Sequence, residues 1–368
     1  MVKRSIWSGV VFSTLLMFSG CGGDNAYDGT GLAGGGVQSS VSTAEIFKSL
    51  QTEVFAKHAD GFVSSIATLK SELSKFEATQ NETNLLSLQQ SFLPLAKEWQ
   101  SVEATYIAGD YDSSMRDLPI LIDNFNQGKR DVTELLDNSL NAGSSNLYRN
   151  DMKAIPALEY LLFGHQATAT DMLKLMTEHN GTRIDAIGVT LDYLALKAQK
   201  IANFYATDTK FVGDTEKGSD VLISVMATNA IKLKDWRIGE AGGLVAKYKD
   251  KPDPKRLQYY KSRNSTEIIR TVIKTHAEVM GVQSYENYGS FGKANGAKSE
   301  IEEIEAILNQ ALTLTNGIDP IEDAIDTLTV NPKVEALYDE IQKLNNTYQG
   351  AIVKALDITP DIISIDGD

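Results

Sequence analysis

Cysteine and histidine are scarce in this chain of 368 residues, which contains one cysteine and four histidines. A single cysteine excludes an internal disulfide, so the folded part must be stabilised by its packed core alone. The histidines (His58, His165, His179 and His276) are widely spaced along the sequence, and most of them would have to converge to build a multi-histidine zinc site. We therefore predict no such zinc site.

Familiar catalytic motifs are also absent. The sequence contains no glycine-rich phosphate loop, no His-Glu-x-x-His, no Gly-x-Ser-x-Gly and no aspartate-rich calcium loop. Acidic residues outnumber basic ones by 49 to 35, which gives a formal net charge of −14. Because such a surface repels nucleic acid and tolerates cations, we predict no nucleic-acid partner, although an acidic balance identifies no ligand.

The first twenty residues have the organisation of a secretory signal. Lys3 and Arg4 form a basic start, and residues 10–18 form an apolar segment. That segment is shorter than the ~20 residues that a membrane-spanning helix needs. We therefore predict that residues 1–20 are a signal peptide and that the protein is exported.

The only cysteine, Cys21, directly follows two small residues, Ser19 and Gly20. This pattern resembles the bacterial lipobox, with Phe18 in place of the usual leucine. The resemblance implies cleavage before Cys21, lipidation of its thiol, and attachment to a membrane through the lipid. Gly22 in the following position favours the periplasmic face of the outer membrane. The alternative interpretation is a buried free cysteine that happens to follow a signal peptide.

Residues 21–41 are mostly small and polar, with too few large apolar side chains to offset the entropy of ordering them. We expect a flexible tether there. Residues 42–368 are numerous enough for two domains of ordinary size.

Apolar residues recur at helical spacing through nearly all of residues 42–368, and strand-like alternation is almost absent. The run Ser42-Thr43-Ala44-Glu45 has the spacing of a capping box and starts the first long helix. The fold class predicted is all-α. The other predicted helices cover residues 85–107 with a kink at Pro94, 118–140, 184–201, 221–236, 257–280, 299–314 and 334–356.

A largely polar stretch at residues 207–218 divides this helical sequence. We predict two helical-bundle domains, residues 42–206 and 207–368, whose similar size suggests an ancient duplication. Two long connections, 239–254 and 283–297, are predicted to be functional loops.

Residues 151–164 are the most distinctive stretch, because Glu159 is surrounded there by apolar residues and a buried carboxylate requires a partner or a cation. Pro156 fits the first helical position, where its missing N–H costs nothing. The helix should therefore begin at Ile155 or Pro156. That start places Glu159 near the helix N-terminus, where the helix dipole favours an ionised carboxylate.

This stretch resembles the motif of the imelysin family, also called the insulin-cleaving membrane peptidase family. Its members carry Gly-x-His-x-x-Glu followed by an apolar run. Residues 99–103, 260–265 and 366–368 are similar to further family elements. The resemblance implies an exported, two-bundle protein, often lipid-anchored and linked to bacterial iron uptake, with the motif facing a cleft between domains.

The chain departs from the family motif at two positions, since Ala154 replaces the glycine and Pro156 replaces the histidine. In the family pattern, histidine and glutamate three residues apart share one helix face and could hold a metal ion. His165 points elsewhere from the Glu159 face, because six residues correspond to about 240° around a helix. Only Glu159 remains of the motif.

Two interpretations of Glu159 stay open. As a functional residue, it is an anion in the cleft that binds a cation or a basic group of a ligand. As a structural residue, it forms a buried ion pair with Arg263, Arg116 or Lys153.

The other candidate ligand-binding residues come from the segments that resemble the family. They are Pro156 itself, Glu103 with Trp99 one turn before it, Arg263, Ser262 and Ser265. Each also has a structural interpretation, such as a core tryptophan or a residue at a helix start. Tyr259 and Tyr260 either line the cleft or pack before the helix, and His58 lies on the apolar face of the first helix, as a packed histidine would.

The predicted function is a binding lipoprotein that holds a ligand or partner between the bundles and is linked to iron uptake. The alternative is a metallopeptidase in which Glu159 acts with further ligands, since the sequence supplies no motif histidine. Iron or another divalent ion is the cofactor considered, with Glu159 and Glu103 as candidate ligands. We expect a monomer, with iron-uptake proteins as candidate partners.

Overall fold

A computed structural model describes residues 42–125 and 132–361. Within these ranges the chain is helical and contains no strand beyond an isolated antiparallel bridge between Ile325 and Val330. The predicted all-α fold is thereby confirmed. The predicted signal peptide, the lipidation site Cys21, the tether and the Asp366-Gly367-Asp368 ending lie outside the described residues.

The α-helices follow one another along the chain: α1 (Thr43–Leu50), α2 (Lys57–Ala78), α3 (Glu82–Gln90), α4 (Phe92–Ala104), α5 (Ala108–Tyr111), α6 (Leu118–Ile122), α7 (Val132–Asn141), α8 (Ile155–Phe163), α9 (Ala169–Thr177), α10 (Thr182–Thr207), α11 (Lys210–Gly213), α12 (Thr215–Ile231), α13 (Glu240–Gly242), α14 (Ser265–Met280), α15 (Tyr288–Ala294), α16 (Lys298–Thr315), α17 (Ile321–Ala324), α18 (Pro332–Asn346) and α19 (Ile352–Leu356). Short 3-10 turns occupy Ser113–Met115, Asp151–Lys153, Glu178–Gly181, Ala246–Tyr248 and Pro254–Arg256.

Three π-helical segments join consecutive helices without a break. They are Gln51–Ala56 between α1 and α2, Lys232–Gly239 between α12 and α13, and Thr347–Ala351 between α18 and α19. Such segments change which side chains face the core and often occur at functional positions.

The first helix begins as the sequence predicts. The Ser42 Oγ accepts a hydrogen bond from the Glu45 backbone N–H at 3.3 Å, and the Glu45 carboxylate accepts one from the Ser42 N–H at 2.8 Å. This reciprocal pair satisfies two backbone donors that the helix cannot satisfy itself. The predicted capping box is confirmed.

Several predicted helix boundaries are wrong. The helix predicted over 85–107 breaks at Ser91, so that Pro94 lies in the first turn of α4, where it is tolerated. The helix predicted over 118–140 ends at Ile122, because Asp123 is extended. Residues 257–264 form turns before α14 instead of its first part, and the loop predicted over 283–297 contains α15.

The described residues, 42–125 and 132–361, belong to a single compact unit. Helix α2 packs against α4 and α10, while α14 packs against α4 and α16, so helices from both sequence halves share one core. The division into bundles at residues 207–218, and the duplication it suggests, therefore stay predictions. Among the described helices none is long and apolar enough to cross a membrane.

Candidate functional site

The segment 258–265, which ends at the first residue of α14, provides hydrogen-bond donors to carboxylates on three other elements. Tyr259 and Arg263 both have a positive φ, 65° and 57°, and these two left-handed residues fold the segment into consecutive turns. Successive donors therefore point in different directions. They reach the end of α6, helix α8 and helix α17.

Glu159 is held by a single residue of this segment. Its Oε1 atom accepts hydrogen bonds from the Ser262 backbone N–H at 2.9 Å and from the Ser262 hydroxyl at 2.8 Å. The glutamate is buried, with 4% of its surface exposed, and burial raises its pKa although Lys261 and the Ser262 donors act in the opposite direction. Helix α8 begins at Ile155 with Pro156 in its first turn, as predicted.

The ion pair considered for Glu159 is not formed. Arg263 extends away from Glu159 and donates to Asp323 at 2.7 Å. The Lys153 ammonium lies 4.9 Å from the centre of the Tyr193 ring. Within the described residues no salt bridge joins Glu159 to Arg263, Arg116 or Lys153, and two neutral donors of Ser262 take the place of a cation.

Ser265, another predicted ligand residue, is the first residue of α14 and contacts a different carboxylate. Its N–H and hydroxyl donate to the Glu322 Oε1 at 3.1 Å and 2.5 Å. Ser262 and Ser265 therefore lie in the same segment but bind separate acidic side chains. The hydrogen-bonding capacity of Ser265 is used within the protein.

Trp99 is completely buried and belongs to a polar cluster around Asp123. The Asp123 Oδ2 accepts hydrogen bonds from the Trp99 indole at 3.0 Å, from Gln100 at 3.1 Å and from Gln258 at 2.8 Å. Burial, followed by the nearby charge of Glu103, raises the Asp123 pKa to about 6. Trp99 therefore contributes both apolar packing and one donor to a buried carboxylate.

Glu103 sits beside this cluster and, unlike Glu159, is paired with cations. Its Oε2 accepts from Arg237 at 2.6 Å and its Oε1 from Lys232 at 2.9 Å. Burial alone would raise the pKa of Glu103, but these two charges outweigh that effect and lower it to about 2. Arg237 also donates to Gln100 and Gln258, which joins Glu103 to the Asp123 cluster.

Sequence reasoning missed Arg237, Lys232 and Asp123. Arg237 lies four residues after Leu233 and four before Ala241, and all three are buried. That spacing marks an arginine on an apolar helix face, which is a sequence signal for a buried ion pair. No comparable signal exists for Asp123, because its position depends on the early end of α6.

Glu103 lines a cavity of about 190 Å³ between helices of the two sequence halves. Tyr106 and Asp110 line it from the first half, and Asn229 and Lys232 from the second. Predicted ligand residues Glu159, Trp99 and Ser265 are instead buried against protein groups. The structure thus distributes the predicted site residues over several separate contacts.

Two other cavities involve segments that the sequence analysis singled out. Residues of the predicted loop 283–297 help to line a cavity of about 480 Å³ near Glu45. His165 and His179 line a cavity of about 300 Å³ beside the end of α8, where the His165 ring lies 5.1 Å from the Tyr160 ring.

His58 is buried, but both nitrogens of its ring contact carboxylates rather than apolar side chains. Its Nδ1 lies 2.8 Å from Glu98 and its Nε2 lies 2.6 Å from Glu278, so it connects α2 to α4 and α14. Burial opposes its positive charge, but the two carboxylates outweigh burial and raise the His58 pKa to about 9. An imidazolium between two carboxylates is the expected state at neutral pH.

The residues around Glu159 do not fit a first-row metal ion. Its Oε1 already accepts two hydrogen bonds from Ser262, and Pro156, in the position of the motif histidine, has no side-chain ligand atom. Nor does any group of three histidine, cysteine or acidic side chains suited to a metal ion occur in the ranges 42–125 and 132–361.

Comparisons with known proteins agree on the family and the fold. The imelysin family profile matches residues 55–348. The structure is similar to that of an imelysin-like protein from Psychrobacter arcticum 273-4, with a TM-score of 0.62 and 16% identity over 87% of this chain and 98% of that one. It is also similar to a putative iron-regulated protein A precursor from Parabacteroides distasonis ATCC 8503, with a TM-score of 0.64 and 11% identity over 85% and 95% of the two chains. No curated protein matches the sequence.

Proposed function

Because this chain belongs to the imelysin family, we propose that it is an exported lipoprotein that binds a ligand in the Glu103 cavity and serves iron uptake. The observation that carries the proposal is the position of the ion-paired Glu103 in the wall of a cavity between the two sequence halves. A fixed charge array beside a cavity can orient a polar ligand.

The iron-related part of the proposal is supported by a relative. A protein of the same fold is described as an iron-regulated protein A precursor. The description of that protein as a precursor also agrees with the signal-like start of this sequence. Lipid attachment at Cys21 is proposed from the residues around that cysteine. Iron-uptake proteins of the cell envelope are the partners that this role implies.

Peptide hydrolysis is less well supported by the geometry. A metallopeptidase needs a metal-activated water and a general base. Glu159 could serve only as one ligand or as the base, and its Oε1 is bound by Ser262. We therefore propose that Glu159 has a structural role and fixes the 258–265 segment against α8.

The role in iron uptake can be tested in the cell that produces the protein. We expect a strain without the protein to accumulate less radioactive iron when iron is limiting, and the wild-type gene to restore accumulation. Cys21→Ser should release the protein from the membrane fraction or stall its processing. Normal iron accumulation in the deletion strain would refute the role in uptake, and a membrane-bound Cys21→Ser protein would refute the anchor.

The peptidase alternative needs a separate test with purified protein. We expect no cleavage of a peptide library in the presence of zinc or iron, and no change on substituting Glu159→Gln. Cleavage that disappears both with a chelator and in Glu159→Gln would contradict the binding proposal.

A further inference from the structure

The predicted functional loop 239–254 continues into a basic segment that the proposed function does not use. Residues 247–256 contain four lysines, one arginine and two aspartates, in a chain whose formal net charge is −14. The four lysine side chains are all exposed, at Lys247, Lys249, Lys251 and Lys255. This basic loop, residues 247–256, therefore has a charge opposite in sign to that of the protein as a whole.

The acidic groups of the basic loop neutralise little of this charge. Asp253 lies 3.8 Å from the Arg256 guanidinium, so these two charges compensate each other. Asp250 is the other carboxylate of the loop, which leaves an excess of three positive charges on the lysines. None of the four ammonium groups forms a salt bridge or a hydrogen bond with the parts of the chain that the structure describes. The lysines are therefore available to groups outside the protein.

Backbone contacts hold the basic loop in one conformation. The Asp250 N–H donates to the Gly243 carbonyl at 3.0 Å, and the Arg256 Nη1 donates to the Lys251 carbonyl at 2.6 Å. The Arg256 guanidinium also lies 4.1 Å from the centre of the Tyr248 ring. Gly243 has a φ of 67°, and a Cβ atom there would lie 3.0 Å from the Lys251 backbone nitrogen, so this packing requires glycine. Because the loop is ordered, binding through it costs less entropy than binding through a flexible segment.

The exposed side chains of the basic loop are mainly lysines, whereas Leu244, Val245 and Tyr248 are each partly buried. Interfaces between proteins have the opposite composition, since they are depleted of lysine and rely on apolar and aromatic anchors. The aromatic ring of the loop, that of Tyr248, is already covered by Arg256. The loop is therefore better suited to a diffuse anionic surface than to a protein partner.

A membrane surface lies within reach of the basic loop in the proposed lipoprotein. The predicted tether, residues 21–41, spans at most about 70 Å when fully extended. A compact domain of about 300 residues has a radius of gyration of roughly 20 Å, so a tether of this length lets any of its faces meet the membrane. Charges further from the headgroups than the Debye length of about 8 Å are screened at physiological ionic strength. The local charge of the loop therefore outweighs the acidic residues of distant faces.

We propose that the basic loop docks the protein on the anionic phospholipid headgroups of the membrane to which it is anchored, through Lys247, Lys249, Lys251 and Lys255. Each lysine close to an anionic membrane strengthens binding about fivefold. The anchor keeps the loop at a high local concentration of lipid, so a weak and reversible contact is sufficient. The inference rests on the proposed lipid attachment and adds to it the face that the anchored protein turns toward the membrane.

The test is sedimentation with vesicles of the mature chain carrying Cys21→Ser, which removes the proposed lipid. We expect binding to phosphatidylglycerol vesicles at about 0.05 M salt and release from them at about 0.5 M salt. We expect no binding to vesicles of phosphatidylcholine, whose headgroups have no net charge. Failure to bind phosphatidylglycerol, the result expected of a loop that contacts an acidic protein, would overturn the proposal. Equal binding to both kinds of vesicle would also overturn it.

Matched substitutions locate the contact. The glutamine variant carries Lys247→Gln, Lys249→Gln, Lys251→Gln and Lys255→Gln. It should bind phosphatidylglycerol at least about twentyfold more weakly, whereas arginine at the same four positions should preserve binding because the charge is kept. The control variant has the same net charge and changes four exposed lysines that form no salt bridge with described residues: Lys48→Gln, Lys57→Gln, Lys274→Gln and Lys354→Gln. Equal weakening in the glutamine and control variants would overturn the proposal.

The outcome is separable from those of the proposed function, because vesicle binding by the Cys21→Ser chain depends neither on lipidation nor on iron. Vesicle binding together with normal iron accumulation in the deletion strain would retain this inference and refute the uptake role. Impaired iron accumulation together with no vesicle binding would do the reverse. Contact through the loop alone is released by salt, so a salt wash of the membrane fraction distinguishes it from attachment through Cys21.

Discussion

Glu103 and Glu159 are both glutamates on helices at the centre of the protein, but their surroundings differ in kind. Glu103 contacts two cations and its pKa is lowered to about 2, whereas Glu159 contacts only the neutral donors of Ser262 and its pKa is raised by burial. Glu103 also lines a cavity, whereas Glu159 accepts hydrogen bonds from Ser262 in the turns that precede α14. The comparison indicates that the residue kept from the family motif is held by neutral hydrogen bonds away from the cavity, whereas Glu103 belongs to a charged cluster in the cavity wall.

The largest expected effect comes from removing the cation that joins Glu103 to the Asp123 cluster. Arg237→Met should destabilise the protein by about 3–5 kcal/mol in urea unfolding, because Glu103 loses its closer cation and two glutamine side chains lose a donor. Arg256→Met, at a more exposed arginine, is the control and should cost much less. A loss below about 1 kcal/mol would show that the cluster contributes little to stability.

The comparison itself is tested by the same substitution at both glutamates. Glu103→Gln should cost about 3 kcal/mol, because Lys232 and Arg237 then lack a counter-charge in a buried place. Glu159→Gln should change stability by no more than about 1 kcal/mol, because an amide oxygen can still accept from Ser262. Equal effects in urea unfolding would remove the distinction between the two residues.

His58 extends the comparison to pH. Its folded pKa of about 9 is above the ordinary value of 6.5, so its stabilisation is present below pH 6.5 and is lost as pH rises through 9. Between pH 6.5 and 9.5 the wild type should lose up to about 3 kcal/mol more than His58→Gln. The His276 pKa is shifted in the opposite direction, to about 3. The stabilisation that neutral His276 contributes is therefore lost as the pH falls from 6.5 towards 3. Parallel pH profiles of wild type and His58→Gln would contradict the assignment.

The smallest effect is expected from restoring the motif histidine. Pro156 is in the first turn of α8, where proline is not required, so Pro156→His should fold. Because Glu159 is 4% exposed and already bound by Ser262, zinc affinity should rise less than tenfold over Pro156→Ala in a calorimetric titration. A rise of a hundredfold would show that Glu159 is available as a metal ligand after all.

Much of the fold followed from local sequence patterns. The capping box at Ser42 and the start of α8 at Pro156 were predictable, because both depend on backbone groups within one turn. The early end of α6 and the late start of α14 were not. At both places, Asp123 and residues 258–264 leave the helical conformation and make contacts across the sequence halves, which local spacing does not report.

The candidate site was predictable only in part. The family resemblance selected Glu159, Ser262 and Glu103, but it indicated one cleft where the structure has separate contacts. Arg237 supplies the charge that distinguishes Glu103 from Glu159, and it lies 134 residues away from Glu103 along the chain. A partner at that separation cannot be identified from a single sequence by spacing alone.

The most direct test of the account is a crystal structure of the protein purified from its native membrane without added ligand, with anomalous data collected for iron and zinc. We predict electron density for a small polar molecule in the Glu103 cavity, and no anomalous peak at Glu159. A metal ion coordinated by Glu159, with only water in the Glu103 cavity, would contradict the account.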